Sequence, residues 1–189
     1  MKKLIISEIE GIKYSKESQD KNKIHLDYAT GYNSIYGNKI VHGTLVILKF
    51  IKTKKKKIER LNNYSIKINF QKSFKYNQQI FISKNLNKIS QINEGKASIK
   101  FKKKIDPENK KLKMIEKINI KKSKNNQYEI LRIILNNLSR FVGMVNPGKN
   151  SIILNINIFY STNFKHHKNL KIFTSPKSKT IPIINNRIV

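Results

Sequence analysis

The sequence predicts an α+β fold, in which a buried helix is set against an antiparallel sheet. Three observations carry this. Residues 39–52 are apolar nearly all round (Ile40, Val41, Leu45, Val46, Ile47, Leu48, Phe50, Ile51), and a helix apolar on every face is an interior one. Residues 64–105 change rhythm. Tyr64, Ile66, Ile68 and Phe70 alternate with polar residues, as do Ile80 and Ile82, then Ala97, Ile99 and Phe101. Period two marks strands with one buried face. A second apolar helix, Tyr128 to Met144, follows the strands, so helices and strands are segregated along the chain.

Taken in order, residues 1–14 alternate loosely and read as a strand or strand-turn. Residues 15–38 are polar, contain Gly31 and Gly37, and read as loop with short helical turns. Lys54 to Lys57 close the first apolar helix, where cations suit the negative end of the helix dipole. Residues 106–126, rich in Lys and Asn around Asp106-Pro107, read as a basic linker or a solvated hairpin. The second helix ends at Asn146-Pro147-Gly148. Ile152, Leu154, Ile156 and Ile158 then alternate, and a last strand is expected around Leu170 to Phe173. The expected organisation is a unit at 1–105, a connection at 106–126 and a second, smaller unit at 127–189.

Composition narrows the function classes. The 189 residues suffice for one domain or a compact pair. No segment has the roughly 18 uninterrupted apolar residues of a membrane span. Glu8 and Glu10 cut short the apolar start, so no signal peptide is expected. The absence of cysteine removes thiolate metal sites and thiol nucleophiles and fits a cytoplasmic protein. A net charge of +29 invites a nucleic-acid reading. Yet the cations are almost all Lys, the arginines being Arg60, Arg132, Arg140 and Arg187. Nucleic-acid readers lean on the planar Arg fork. Lys, Asn and Ile are together abundant, as A- and T-rich codons would write them. No nucleic-acid partner is expected; the charge is left a weaker role in steering an acidic carrier or phosphorylated group.

The chemistry concentrates in one place. The chain has three aspartates and four histidines, and Asp20, Asp27, His25 and His42 fall within 23 residues. Asp20 and His25 stand five apart with Asn22 between them, and His42-Gly43 opens the buried helix. A carboxylate and an imidazole on one loop can share a water and move its protons. His166-His167 has no partner at metal spacing and reads as exposed.

Ser18-Gln19-Asp20-Lys21-Asn22-Lys23-Ile24-His25-Leu26-Asp27 resembles the Ser-Gly-Asp-x-Asn-Pro-x-His-x-Asp motif of the MaoC-like (R)-specific enoyl-thioester hydratases. Val41-His42-Gly43 resembles the Ala-His-Gly that begins that family's central helix, at a similar distance from the first block. Gln19 stands in place of a glycine, and Lys23 in place of a proline. The resemblance is close over residues 1–60, continues as a strand pattern to about 105 and thins beyond. It implies a hot-dog fold, a long central helix wrapped by an antiparallel sheet. It also implies a hydro-lyase that adds or removes water at the 2,3-position of an acyl thioester carried on coenzyme A or acyl carrier protein. By the same resemblance Asp20 and His25 are the acid–base pair, and Gly43 offers its backbone N–H to the thioester oxygen. Asn22, His42 and Asp27 bind or orient. No metal or redox cofactor is implied.

Ser139-Arg140-Phe141-Val142-Gly143-Met144, with Pro147-Gly148, resembles the central helix of a second hot-dog unit, incomplete and non-catalytic. The alternative is a C-terminal helix and strands completing one enlarged domain. Either a homodimer or an intramolecular pseudo-dimer is expected. Two other functions stay open at this point: a catalytically inactive hot-dog partner subunit, and a basic nucleic-acid-binding protein.

Overall fold

The computed structural model describes residues 2–55, 64–83, 88–92, 94–103, 113–119, 127–145, 148, 151–160, 169–174, 183–184 and 187–188. His166 and His167, and the connection at 106–126 apart from Lys113–Asn119, lie outside them.

The fold is α+β. A short strand β1 (Lys2–Ile5) leads into helix α1 (Glu8–Ser18). The expectation of strand over 1–14 is therefore corrected beyond Ile5. The cause is local. Ser7 Oγ accepts from the Glu10 N–H, and the Glu10 carboxylate accepts from the Ser7 N–H. This capping box satisfies two of the amide donors that a helix start leaves unpaired. A 3-10 turn (Lys23–His25) and helix α2 (Tyr28–Tyr32) follow, each started by the side chain before it, Asn22 and Asp27.

Helix α3 (Gly43–Thr53) is the buried helix, with Leu45, Val46, Ile47, Leu48, Phe50 and Ile51 all inside. It begins four residues later than the apolar run. Ile40 forms an isolated antiparallel bridge with Lys75, and Val41 N–H donates to Phe74 O at 2.7 Å. Those contacts hold 40–41 extended and deliver His42 to the helix start.

Strands β2 (Tyr64–Lys72), β3 (Gln79–Ile82), β4 (Lys88–Gln91) and β5 (Lys96–Lys103) build an antiparallel sheet with β1. Then come β6 (Lys113–Asn119), helix α4 (Gln127–Arg140) with a π-helical turn at Phe141–Val145, β7 (Asn155–Tyr160) and β8 (Asn169–Thr174). Two short strands, β9 (Ile183–Ile184) and β10 (Arg187–Ile188), end the chain. The main sheet has six strands in the order β1-β3-β4-β5-β2-β7. β6 and β8 pair as a separate ladder, so the strand inside the basic connection finds its partner beyond β7.

The second half thus extends the sheet of the first. β7 runs antiparallel to β2, with Ile66 opposite Ile158 and Ile68 opposite Ile156. Phe101 and Ile99 stand across from the same two β2 residues on the other side. α4 lies against both α3 and α1. Ile130, Leu131 and Leu135 of α4 and Ile156 and Ile158 of β7 share one core with α3 and the sheet. Burying a side chain of this size contributes about 1.5–3 kcal/mol, so those five residues weigh heavily in holding the halves together. An ion-paired clamp at the rim, Arg132 with Glu17 and Glu129, is partly exposed and adds less.

Candidate active site

The sequence motif lies between α1 and α3, and the local folding explains its spacing. α1 ends at Gln19, which is in the left-handed conformation (φ 59°, ψ 19°). Glycine adopts that conformation freely, and other residues pay a cost of about 1–2 kcal/mol. The turn reverses the chain so that Asp20 points inward. Ser15 Oγ donates to Asp20 O at 2.6 Å, and Asp20 N–H donates to Ser18 Oγ at 3.3 Å. Asn22 N–H donates to Asp20 Oδ1 at 3.1 Å. The Asn22 side chain accepts from Ile24 N–H at 3.4 Å and donates to Ser151 O, 129 positions onward, at 2.9 Å. Asn22 therefore ties the loop to the second half.

Three of the sequence-predicted residues meet. Asp20, His25 and His42 are all buried, and one ligand atom from each lies within 4.8 Å of the others. The His25 and His42 rings stack, with centroids 3.9 Å apart and planes tilted by 29°. Tyr14 packs edge-on against His42 at 5.2 Å. His42 Nε2 is 3.9 Å from Asp20 Oδ2, too far for a direct hydrogen bond. Neither ring nitrogen of His42 has a hydrogen-bond partner among the described residues.

His25 Nδ1 lies 2.9 Å from Ile40 O. A carbonyl only accepts, so Nδ1 carries the proton and Nε2 of the neutral ring keeps its lone pair. Burial holds the His25 imidazole below its ordinary range, against the opposing pull of the Asp20 charge and the Ile40 carbonyl. Burial and then the neighbouring His25 hold His42 well below that range. Both rings are thus neutral near pH 7.

A divalent ion would use these same three side chains. Ligation asks each imidazole to aim a ring nitrogen at the ion within its own plane, and two stacked rings do not converge that way without one turning.

Gly43 is the first residue of α3, directly after His42. First-turn amides have no intrahelical acceptor and carry the positive end of the helix dipole. A Cβ on Gly43 would come within 2.9 Å of the Phe70 ring, so this helix start is closely approached by β2. Asp27 is not brought into the cluster. It is exposed, and its Oδ1 accepts from Thr30 N–H at 2.7 Å and Thr30 Oγ1 at 2.6 Å. Those two bonds hold its carboxyl below the usual range, and its place is at the start of α2.

Residues that sequence reasoning missed come from both halves. Ser139 Oγ donates to Asp20 Oδ2 at 2.6 Å and accepts from Thr44 Oγ1 at 3.0 Å. Thr44 in turn accepts from Tyr14 Oη at 2.9 Å. Gly143, in the π-helical turn, lies so close that a Cβ there would be 2.2 Å from Asp20 Oδ1. Ser139 and Gly143 stand more than a hundred positions from Asp20, and no periodicity or local spacing relates residues so far apart.

No protein-family model matches the sequence. No curated protein matches it either. The chain is similar to a solved structure, the (R)-hydratase from A. caviae involved in PHA biosynthesis, at 14% identity. The match spans 55% of this chain and 92% of that one, with a TM-score of 0.41, too loose a likeness to carry any residue's role across.

Proposed function

We propose that this chain is a hot-dog-type hydro-lyase that adds water to, or removes it from, the 2,3-position of an acyl thioester. The single observation that carries this reading is the buried Asp20–His25–His42 cluster beside the N-terminus of α3. Hydration needs proton transfer to and from water at one end of the enoyl group, and charge stabilisation at the thioester oxygen at the other. A water held between the Asp20 carboxylate and the His25 Nε2 lone pair gives up a proton to that pair as its oxygen bonds to C3. The C2–C3 π electrons shift toward the carbonyl, and the thioester oxygen takes on negative charge against the amide of Gly43. A proton delivered from the Asp20–His25 pair to C2 completes the addition. Neutral His25 suits this work because its lone pair is free at neutral pH.

Among the described residues no helix is long and apolar enough to cross a membrane. Coenzyme A or an acidic acyl carrier protein is the proposed carrier, with the +29 charge favouring its approach. No metal or redox cofactor enters this reaction.

The test is hydration of crotonyl- and longer enoyl-coenzyme A, with matching acyl-carrier-protein substrates, followed by loss of enoyl absorbance. Asp20→Asn and His25→Ala are each expected to lower turnover by about a hundredfold or more while the protein stays folded. Near-normal rates in both variants on the best substrate would overturn the mechanism.

A further inference from the structure

The hydroxyls between α1, α3 and α4 form a chain whose direction is set by its ends. An ionised carboxylate only accepts, so Ser139 must donate to Asp20. That leaves the Ser139 oxygen as acceptor for the Thr44 hydroxyl, and Thr44 as acceptor for Tyr14. Burial pushes the Tyr14 phenol far up, so it stays a donor and starts the chain. Tyr14, Thr44, Ser139 and Asp20 are all buried, at 4% exposure or less. Hydroxyls at a helix–helix contact contribute less to packing than apolar groups and cost free energy if unpaired. Here two of them, Thr44 on α3 and Ser139 on α4, face each other and point onward to the carboxylate.

The carboxylate is held from both sides. Asn22 N–H takes Oδ1 and Ser139 takes Oδ2, the oxygen that faces His42. Hydrogen bonds to an ionised acceptor are short and about twice as strong as neutral ones, and a line of hydroxyls polarises toward its charged end. Gly143, one turn beyond Ser139, leaves the room in which the carboxylate sits.

We propose that Ser139 is a positioning residue, through which the second half of the chain fixes the orientation of the Asp20 carboxylate as the last link of the Tyr14–Thr44–Ser139 hydroxyl chain. This rests on the hydro-lyase reading for its kinetic consequence, but the contact itself can be tested without activity. In Ser139→Ala the donor is lost while the helix is kept. Turnover should fall about tenfold to a hundredfold, the scale for losing a hydrogen bond to a charged group. KM should stay within about twofold, because a positioning residue does not touch the remote acyl chain. Ser139→Thr restores the hydroxyl and should recover most of the rate, which a space-filling role alone would not require. Thr44→Val should lower the rate less, and adding it to Ser139→Ala should cost little more, since both cut one chain.

The second arm uses the 13C-labelled full chain without substrate, with the Asp20 carboxyl resonance assigned by its absence in Asp20→Asn. Ser139→Ala should move that resonance, Tyr14→Phe should move it by less, and Ser139→Thr should return it toward the parent position. An unmoved resonance in folded Ser139→Ala overturns the proposal whatever the enzyme does. So does a rate loss that Ser139→Thr fails to recover. If the parent protein hydrates no enoyl thioester but the resonance responds in this order, the positioning role stands and the hydro-lyase reading falls.

Discussion

Replacing Gly143 by alanine separates a site built across both halves from one contained in the motif loop. The added methyl carbon would stand 2.2 Å from Asp20 Oδ1, 2.8 Å from Cγ and 3.0 Å from Oδ2. Ordinary contact begins near 3.4 Å, leaving about 1.2 Å that the carboxylate or the π-helical turn must yield. The carboxylate is buried and held by Ser139 at 2.6 Å and Asn22 N–H at 3.1 Å, so a shift of that size breaks at least one of those bonds. Overpacking typically costs about 1–3 kcal/mol, and a lost bond to a charged group falls in a similar range of about 1.5–3 kcal/mol. A catalytic group misplaced by 1 Å can cost about a hundredfold in rate. Gly143→Ala should therefore lose about 1–3 kcal/mol of stability by urea denaturation and about a hundredfold in kcat/KM. The control is Gly37→Ala, where nothing lies within 4 Å and only the positive φ of 60° opposes the methyl. That variant should lose some stability and keep its rate. A Gly143→Ala protein with parental stability and parental kcat/KM would refute the claim that the second half reaches Asp20.

Acid should destabilise the fold from about pH 6.5, the unperturbed histidine value, downward. Folded His25 and His42 bind protons more weakly than the unfolded chain does, so the unfolded state gains protons first as pH falls. Each contributes a slope of up to about 1.4 kcal/mol per pH unit until its lowered folded value is reached; denaturation at pH 7.5, 6 and 5 reads this, and a flat profile would contradict neutral buried imidazoles. Gln19→Gly should raise stability by about 1 kcal/mol by relieving the left-handed turn, seen as a higher melting temperature with turnover preserved; a lower melting temperature would show that the turn is unstrained. A chain ending near residue 120 would lose the β7 partner of β2 and the α4 cover on α3. It should aggregate or self-associate and be inactive despite its complete motif; a monomeric, active fragment on light scattering and assay would remove the second half from the site.

What could be read from the sequence follows from how local each cause is. The period of β2 and the uniform apolarity of α3 are statements about burial, and both elements formed, α3 starting only at Gly43 because contacts with 74–75 hold the buried Ile40 and Val41 extended. The start of the chain misled because α1 barely shows a core-facing stripe. Ile9 is 78% exposed and Ile12 48%, while the helix buries Gly11, Ser15 and Ser18 along with Tyr14. Hydrophobic rhythm carries no signal for such a helix. Its mark was Ser7-x-x-Glu10, a pattern of side chain to backbone bonding rather than of apolarity. In the site, motif spacing brought Asp20, His25 and His42 forward as candidates because the loop is short and its turns are local. Asp27, part of the same motif, instead holds α2. Ser139, Gly143 and the Ser151 carbonyl were beyond reach because their meeting with Asp20 and Asn22 depends on β7 pairing with β2 and α4 crossing α3, pairings that only the folded chain makes.

The pairing of β2 with β7 has a consequence for how the protein behaves at low copy number. An open edge on β2 would be answered by whatever strand mass action supplies, and any site completed across that edge would come apart on dilution. Here the answering strand is tethered to the same polypeptide, so its local concentration is set by chain length and not by how many copies a compartment holds. The contact between α4 and the Asp20 loop is then unimolecular. The division of roles within the site follows: the first half holds the titratable groups, while Ser139 and Gly143 of the second stand against the Asp20 carboxylate as a wall of hydroxyl and glycine.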